Sequence, residues 1–252
     1  MSAVGAVRRR LTAALAPALI DKVERDHTQP DSQFRRRRVV AGLVLVVGGV
    51  LLGVSLAVEP GDPTFYPLTL LVAATWVVGG LASGPLHLGH IPSRGALRRP
   101  VVTPIVLGLL AGAVFVAGAL VVRQVPPLAG YVDEVLAHAD EGYLPLIAFV
   151  TLVNGVAEEI FFRGALYAAI GVDRPVITST AVYGLATAAT RNPALLLGSL
   201  IMGALFGMQR RVTGGIQASV LTHVTWSALM LRFLPPLFAD RPDMHDLRPA
   251  AA

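Results

Sequence analysis

The strongest constraint on the fold is a set of long apolar runs that carry almost no charge. The first, Val39 to Val58, contains no charged residue. About 20 mostly apolar residues cross a bilayer as one helix, because a helix satisfies its backbone hydrogen bonds internally. The chain is 54% hydrophobic and 15% charged, against about 25% charged in ordinary globular proteins. The sequence therefore predicts an all-α, polytopic membrane helix bundle, multi-pass in the cell membrane and surrounded by lipid.

About seven membrane spans are predicted. Two of them are short, and each of these begins with a proline, which suits the first turn of a helix. A helix on the membrane surface is predicted over residues 131–139, between the third and fourth spans. The predicted spans are 39–58, 67–86, 101–122, 143–170, 175–190, 193–209 and 213 to about 233.

Glycines recur inside these spans, and their expected role is structural. In lipid, small residues allow two helices to approach closely. The glycines concerned are Gly48, Gly49, Gly79, Gly80, Gly108, Gly112, Gly198, Gly203 and Gly207.

The distribution of basic residues predicts the orientation. Arg35 to Arg38 precede the first span and Arg210-Arg211 follow the sixth, whereas the opposite loops are mostly acidic. Because Arg and Lys accumulate in cytoplasmic loops, the N-terminus is predicted to be cytoplasmic. The predicted organisation is a basic cytoplasmic arm (1–38), three accessory spans with an outer loop (39–142), a four-helix core (143–238) and a disordered tail (239–252).

Composition and missing motifs argue against several kinds of partner. The net charge of +5 comes from arginines at span ends, which is a topology pattern rather than a nucleic-acid surface. The chain has no cysteine, so disulfides and thiolate metal sites are excluded. An H-E-x-x-H helix, a P-loop and a dinucleotide fingerprint are also absent, so neither a metal nor a cofactor is expected.

Three charged residues lie well inside the fourth predicted span: Glu158, Glu159 and Arg163. Each costs about 2.5–3.5 kcal/mol on membrane-insertion scales, so the group requires a reason. Glu159 and Arg163 are four residues apart, in the favourable order for an ion pair on one helix face. Glu158 is rotated about 100° from Glu159, which leaves it without a cation. Such an acid has the profile of a general base or a proton relay; a purely structural triad is the alternative.

Polar residues on two other spans are candidate partners. His223 is the only histidine inside an apolar run, and Ser219 and Ser227 lie one turn to either side of it. A membrane histidine can also simply bond to a neighbouring helix. A second stripe, which could equally bond to its own helix, consists of Thr180, Tyr183, Thr187 and Thr190.

The run Glu158-Glu159-Ile160-Phe161-Phe162-Arg163-Gly164 resembles the E-E-x-x-x-R signature of the CPBP family. This family comprises CAAX-type prenyl proteases and bacteriocin-processing or immunity proteins, and is also called the Abi family. The resemblance covers about residues 143–238. It implies an intramembrane glutamic endopeptidase acting on a membrane-associated peptide or protein without a cofactor. Glu158 would activate the water, and Glu159 with Arg163 would hold the helix.

Two further family motifs match in part. The F-x-x-x-H motif falls on residues 183–187, where Thr187 replaces the histidine. The H-x-x-x-N motif falls on residues 223–227, where His223 is kept and Ser227 replaces the asparagine. The resemblance implies that His223 orients the water or polarises the carbonyl, while Thr187 and Ser227 donate weak oxyanion contacts. The alternatives are a catalytically degenerate scaffold or immunity-type protein, and a proton or small-solute conduit.

Overall fold

The computed structural model describes residues 5, 15–24, 27–93 and 95–239, and these residues form a helical bundle. A π-helix, Glu159–Leu166, continues the helix that precedes it. Two short strands, β1 (Ile91–Ser93) and β2 (Ala96–Arg98), form an antiparallel hairpin. After helical residues 15–19, the α-helices are α1 (Asp31–Leu56), α2 (Phe65–Ser83), α3 (Val102–Val122), α4 (Pro126–Glu141), α5 (Leu144–Glu158), α6 (Tyr167–Ile170), α7 (Pro175–Ala188), α8 (Pro193–Thr213) and α9 (Gln217–Ala239).

The predicted all-α membrane bundle is confirmed. In the described part of the chain, five helices are long and apolar enough to cross a membrane: α1, α2, α3, the continuous segment Leu144–Ile170, and α8. Helix α7 has 14 residues, fewer than the about 20 that a straight crossing needs. Helix α9 is long enough, with 23 residues, but its polar residues keep it outside this set. The total of seven spans therefore stays a prediction.

The first helix begins earlier than predicted. Helix α1 starts at Asp31, so the predicted boundary after residue 38 falls inside a helix and the four arginines belong to it. Arg37 is buried and donates to the carbonyl oxygen of Pro85 at 3.0 Å. This arginine therefore fastens α1 to the end of α2.

The predicted surface helix and the predicted disordered tail can each be compared with the structure. The surface helix predicted over residues 131–139 lies within the longer α4 (Pro126–Glu141), although its place relative to the membrane stays a prediction. In the predicted tail, residue 239 ends α9, and residues 240–252 lie outside the described residues.

The core beside the motif is built around Trp76 of α2. Its buried ring stacks on Phe161 with centroids 4.6 Å apart and lies 5.1 Å from the ring of Phe162. The ring also lies against Gly48 of α1, where an added Cβ would overlap it. Aromatic packing of this kind dominates core energetics, so α1, α2 and the π-helix form one unit.

The predicted role of the span glycines is confirmed at several contacts. A Cβ at Gly80 would lie 2.6 Å from Ile160, and one at Gly108 would lie 2.6 Å from Thr225. These helices therefore pack with backbone close to the neighbouring side chains. Gly49 and Gly198 are exceptions, because the nearest atoms to a Cβ there lie 4.0 Å away in Ala186 and 3.9 Å away in Phe115.

Replacing Gly48 with alanine is expected to destabilise the protein by about 1–3 kcal/mol, the usual cost of overpacking. Gly42→Ala is the matched control, because it lies on the same helix and a Cβ there has no atom within 4 Å. Thermal unfolding of the detergent-purified protein measures both. A Gly48→Ala variant at least as stable as Gly42→Ala would contradict this packing.

Candidate active site

Glu159 is the centre of the buried polar network in the motif. It is 0% exposed, and its Oε1 lies 3.0 Å from Arg163 Nη1 and 3.2 Å from His223 Nδ1. The ion pair expected from the four-residue spacing is present. Because a buried carboxylate is costly unless it is paired and hydrogen-bonded, these two contacts explain why Glu159 can lie in the core.

Arg163 is fixed on every side by other helices. It is 1% exposed, and its Nη2 donates to the carbonyl oxygen of Gly203 in α8 at 3.3 Å. Its guanidinium carbon lies 4.6 Å from the ring centroid of Tyr183 and 5.0 Å from that of Phe206. Cation–π contacts of this type gain strength when desolvated. Arg163 therefore holds the π-helix against α7 and α8.

The motif departs from α-helical geometry immediately after Glu158. The backbone N–H of Tyr167 bonds to Phe162 O, five residues back, instead of to Arg163 O as in an α-helix. Arg163 O accepts from Arg210 Nε at 2.8 Å. Insertions of π-helix are frequently found at functional sites, and here one places a side chain of α8 on the backbone of the motif.

The predicted sixth span ends at residue 209 and leaves Arg210 in the loop that follows, and this boundary is wrong. Arg210 lies inside α8 and is 5% exposed. Its guanidinium carbon lies 5.1 Å from the ring centroid of Tyr167. A carbonyl that the π-helix makes available therefore draws this arginine inward, and only the neighbouring Arg211 is exposed.

Glu158 has a different environment from Glu159. It is partly buried, and its Oε2 accepts a hydrogen bond from the Tyr183 hydroxyl at 2.5 Å. Among the described residues it forms no ion pair, although Arg163 and His223 are near enough to interact with it electrostatically. The two adjacent acids therefore differ in the way that the helix geometry predicted. Arg163 pairs with Glu159, and no cation of the described residues pairs with Glu158.

His223 is held by Glu159 rather than by Glu158. Its buried ring stacks on Phe206, with centroids 4.7 Å apart. The ring also lies near Gly155 of α5, where an added Cβ would be 3.4 Å from it. With a proton on Nδ1 directed at the carboxylate, the other nitrogen, Nε2, remains for chemistry. A carboxylate that orients an imidazole in this way recurs in hydrolases.

Among the described residues, the remaining polar residues that the sequence singled out form no hydrogen bond to Glu158. Thr187 is buried, but its hydroxyl donates to Tyr183 O in its own helix at 3.0 Å. Ser227 is buried one helical turn after His223. Asn154 donates to Thr69 O at 3.1 Å and so joins α5 to α2.

Tyr183 contacts Glu158, and this role was not predicted. The sequence placed Tyr183 in a polar stripe and assigned no function to it. In the alignment expected from the sequence, Tyr183 takes the first position of F-x-x-x-H, so a hydroxyl would replace the phenylalanine of that motif. That difference is the signal that could have identified it. The structure shows the hydroxyl bonded to Glu158 and the ring against Arg163.

The fold and the site together define a helical membrane protein with two adjacent acids inside a membrane-length helix, Glu159 buried and Glu158 partly buried, and among the described residues only Glu159 forms ion pairs. Among the described residues, no three His, Asp or Glu side chains form a group that could hold a metal ion.

Comparison with known proteins agrees with this class. Residues 140–229 match the family model described as Rce1-like, type II CAAX prenyl endopeptidase Rce1-like, which confirms the resemblance expected from the motif. The matched segment contains Glu158, Arg163 and His223, and it supports a protease-type enzyme in the membrane. Searches of curated proteins and of solved structures return no match.

Proposed function

We propose that this protein is an intramembrane endopeptidase that hydrolyses a peptide bond at or near the membrane. The observation that carries the proposal is that the two adjacent acids, Glu158 and Glu159, have different partners. Glu159 is committed to Arg163 and His223, whereas the one side chain of the described residues that hydrogen-bonds to Glu158 is the neutral phenol of Tyr183. A carboxylate that is free of a cation and withdrawn from bulk water is suited to accept a proton.

In the proposed reaction, Glu158 removes a proton from a water molecule as the water oxygen attacks the scissile carbonyl carbon. The carbonyl π electrons move to oxygen, which gives a tetrahedral oxyanion. The proton on Glu158 then passes to the leaving nitrogen as the C–N bond breaks, which yields an amine and a carboxyl product. Tyr183 positions Glu158 through its hydrogen bond.

His223 is proposed to stabilise the oxyanion from Nε2. In this arrangement both ring nitrogens donate, Nδ1 to Glu159 and Nε2 to the oxyanion, as they do in an imidazolium ring. Its Nδ1 contact with Glu159 would hold the ring so that Nε2–H donates to the oxyanion.

Ser227 is the better candidate of the two predicted hydroxyl donors. Thr187 already donates to a backbone carbonyl of its own helix, which is a common arrangement for threonine within a helix. Ser227 lies on the same helix as His223, one turn further on. We therefore propose Ser227 as a weak second oxyanion contact and assign Thr187 to the structure of α7.

The organisation of the chain around this site is also a proposal. We place the catalytic unit at residues 143–238 and the N-terminus in the cytoplasm, as the charge distribution predicts. Helix α2 is more than an accessory span, because Trp76 packs on the motif residue Phe161. The substrate is proposed to be a membrane-associated peptide or protein, and no prenyl group is specified.

Tyr183→Phe is expected to lower the turnover of reconstituted protein about ten- to a hundredfold, the range for losing one hydrogen bond to a charged group. Accumulation should not change, because the phenylalanine ring retains the contact with Arg163. Cleavage of a membrane-peptide library, followed by mass spectrometry, provides the assay, and the exposed Tyr143 provides the control, Tyr143→Phe. Full activity in Tyr183→Phe would remove Tyr183 from the mechanism.

A catalytically degenerate scaffold is the second candidate, and it is favoured by the engagement of the Thr187 hydroxyl with its own helix. On that interpretation no peptide in the library is cleaved by wild-type protein, and Glu158→Gln changes nothing. A proton conduit would instead show proton flux in liposomes that Glu158→Gln removes, without cleavage.

A further inference from the structure

A polar cavity of about 150 Å³ lies beside the motif, outside the proposed active site. It is bounded by the segment that leads into α1, by the turn after α2 and by the π-helix with α6. On this scale one water molecule needs about 10–15 Å³, so the cavity has room for a small polyatomic ion. Among the described residues that line it there is no Asp or Glu; the polar and basic ones include Arg37, Arg210, His27, His87, Gln29 and Gln33.

Arg37 is a buried cation that has no anionic partner among the described residues. It is 3% exposed, and its three hydrogen bonds reach Gln29 Oε1 at 3.3 Å, Ser83 Oγ at 3.4 Å and Pro85 O at 3.0 Å. All three acceptors are neutral, and no carboxylate of the described chain pairs with this guanidinium. Arginine is almost never fully buried unless it is paired. The missing anion therefore points to a ligand.

The surroundings of Arg37 increase the positive character of the cavity. Arg210 lines it from α8. His27 and His87 stack with ring centroids 3.8 Å apart, and His87 is exposed, so the cavity can be reached from outside. Guanidinium and imidazole groups are donors that recognise phosphate oxygens, and arginine does so with two parallel hydrogen bonds.

We propose that this cavity binds a phosphate group, supplied either by free inorganic phosphate or by the headgroup of an anionic lipid. The lipid source is consistent with exposed arginines on the same turn of α1, Arg35, Arg36 and Arg38, because basic clusters at a membrane surface attract anionic headgroups. The site is independent of the proposed peptidase activity, since none of its lining residues takes part in the proposed reaction.

The test uses full-length purified protein and two probes. Inorganic phosphate is titrated in detergent at constant ionic strength while thermal unfolding is followed, because a ligand that binds the folded state raises Tm. In parallel, the protein is placed in nanodiscs of phosphatidylglycerol or of phosphatidylcholine. Three variants are compared with wild type: Arg37→Gln removes the cation, Gln29→Glu puts a carboxylate beside it, and Arg232→Gln is the control at an exposed arginine of α9 that does not line the cavity.

Phosphate or phosphatidylglycerol should stabilise wild type and Arg232→Gln alike. Apparent affinity should fall about tenfold or more in both variants, because Arg37→Gln removes a charge-assisted contact to the ligand and Gln29→Glu supplies a carboxylate that competes with the ligand for Arg37. A response to phosphate in detergent identifies the free anion, and a response confined to phosphatidylglycerol identifies a lipid. If Arg37→Gln does not fold, Gln29→Glu decides, since it keeps the arginine. Equal behaviour of wild type and Gln29→Glu with both probes would overturn the proposal.

Discussion

Arg163→Ala is expected to abolish accumulation of folded protein. The substitution leaves Glu159 as a buried carboxylate without its cation, and removing one partner of a buried pair costs about 3–5 kcal/mol. It also removes the hydrogen bond to Gly203 and the contact with the Tyr183 ring. The total is comparable to the whole stability of many domains, about 5–15 kcal/mol. Size-exclusion chromatography of a fluorescent fusion in detergent measures the folded fraction.

Two variants calibrate this result. Arg163→Lys keeps the charge but loses the planar fork that bonds to Glu159 and to Gly203 together, so partial accumulation is expected. Arg35→Ala removes an exposed arginine and should accumulate normally. Wild-type accumulation of Arg163→Ala would show that the network around Glu159 is not needed for folding.

Glu158→Gln is expected to lower turnover about 10²- to 10⁴-fold, the usual contribution of a general base, while accumulation stays normal. Glutamine has the shape of glutamate and can still accept the hydrogen bond from Tyr183, but it cannot take a proton from water. Initial rates of cleavage in liposomes measure the effect. Glu159→Gln is the variant to compare with it. This substitution weakens the contacts to Arg163 and His223, so it should also reduce the amount of folded protein.

The decisive comparison is between the folding and the activity of the two variants. Glu158→Gln should be folded and inactive, and Glu159→Gln should be poorly folded. If both variants lose accumulation equally, the acids are a single structural unit, and the assignment of Glu158 as the base is wrong.

The features that the sequence predicted well are local ones. Uncharged runs such as 39–58 predicted helices of membrane length, because the cost of placing charge in lipid acts on each residue separately. The Glu159–Arg163 pair was predictable from a spacing of four residues within one helix. Neither prediction depends on how the helices pack.

The features that were missed depend on packing. Which of two adjacent acids faces His223 is decided by the crossing of α9 with the π-helix, and a π-helix has no signature in the apolar pattern. The same change of backbone brings Arg210 inward, although the sequence shows it only as a charge near the end of a span. Arg37 was missed for a related reason, since its partners Ser83 and Pro85 are distant in the chain.

The most direct test of the account compares membrane-peptide profiles of cells that make wild-type protein and cells that make Glu158→Gln at equal abundance. If Glu158 activates water for peptide hydrolysis, a set of new peptide termini appears with wild type and is absent with Glu158→Gln. Identical profiles in the two strains, with both proteins folded in the membrane, would contradict the central claim.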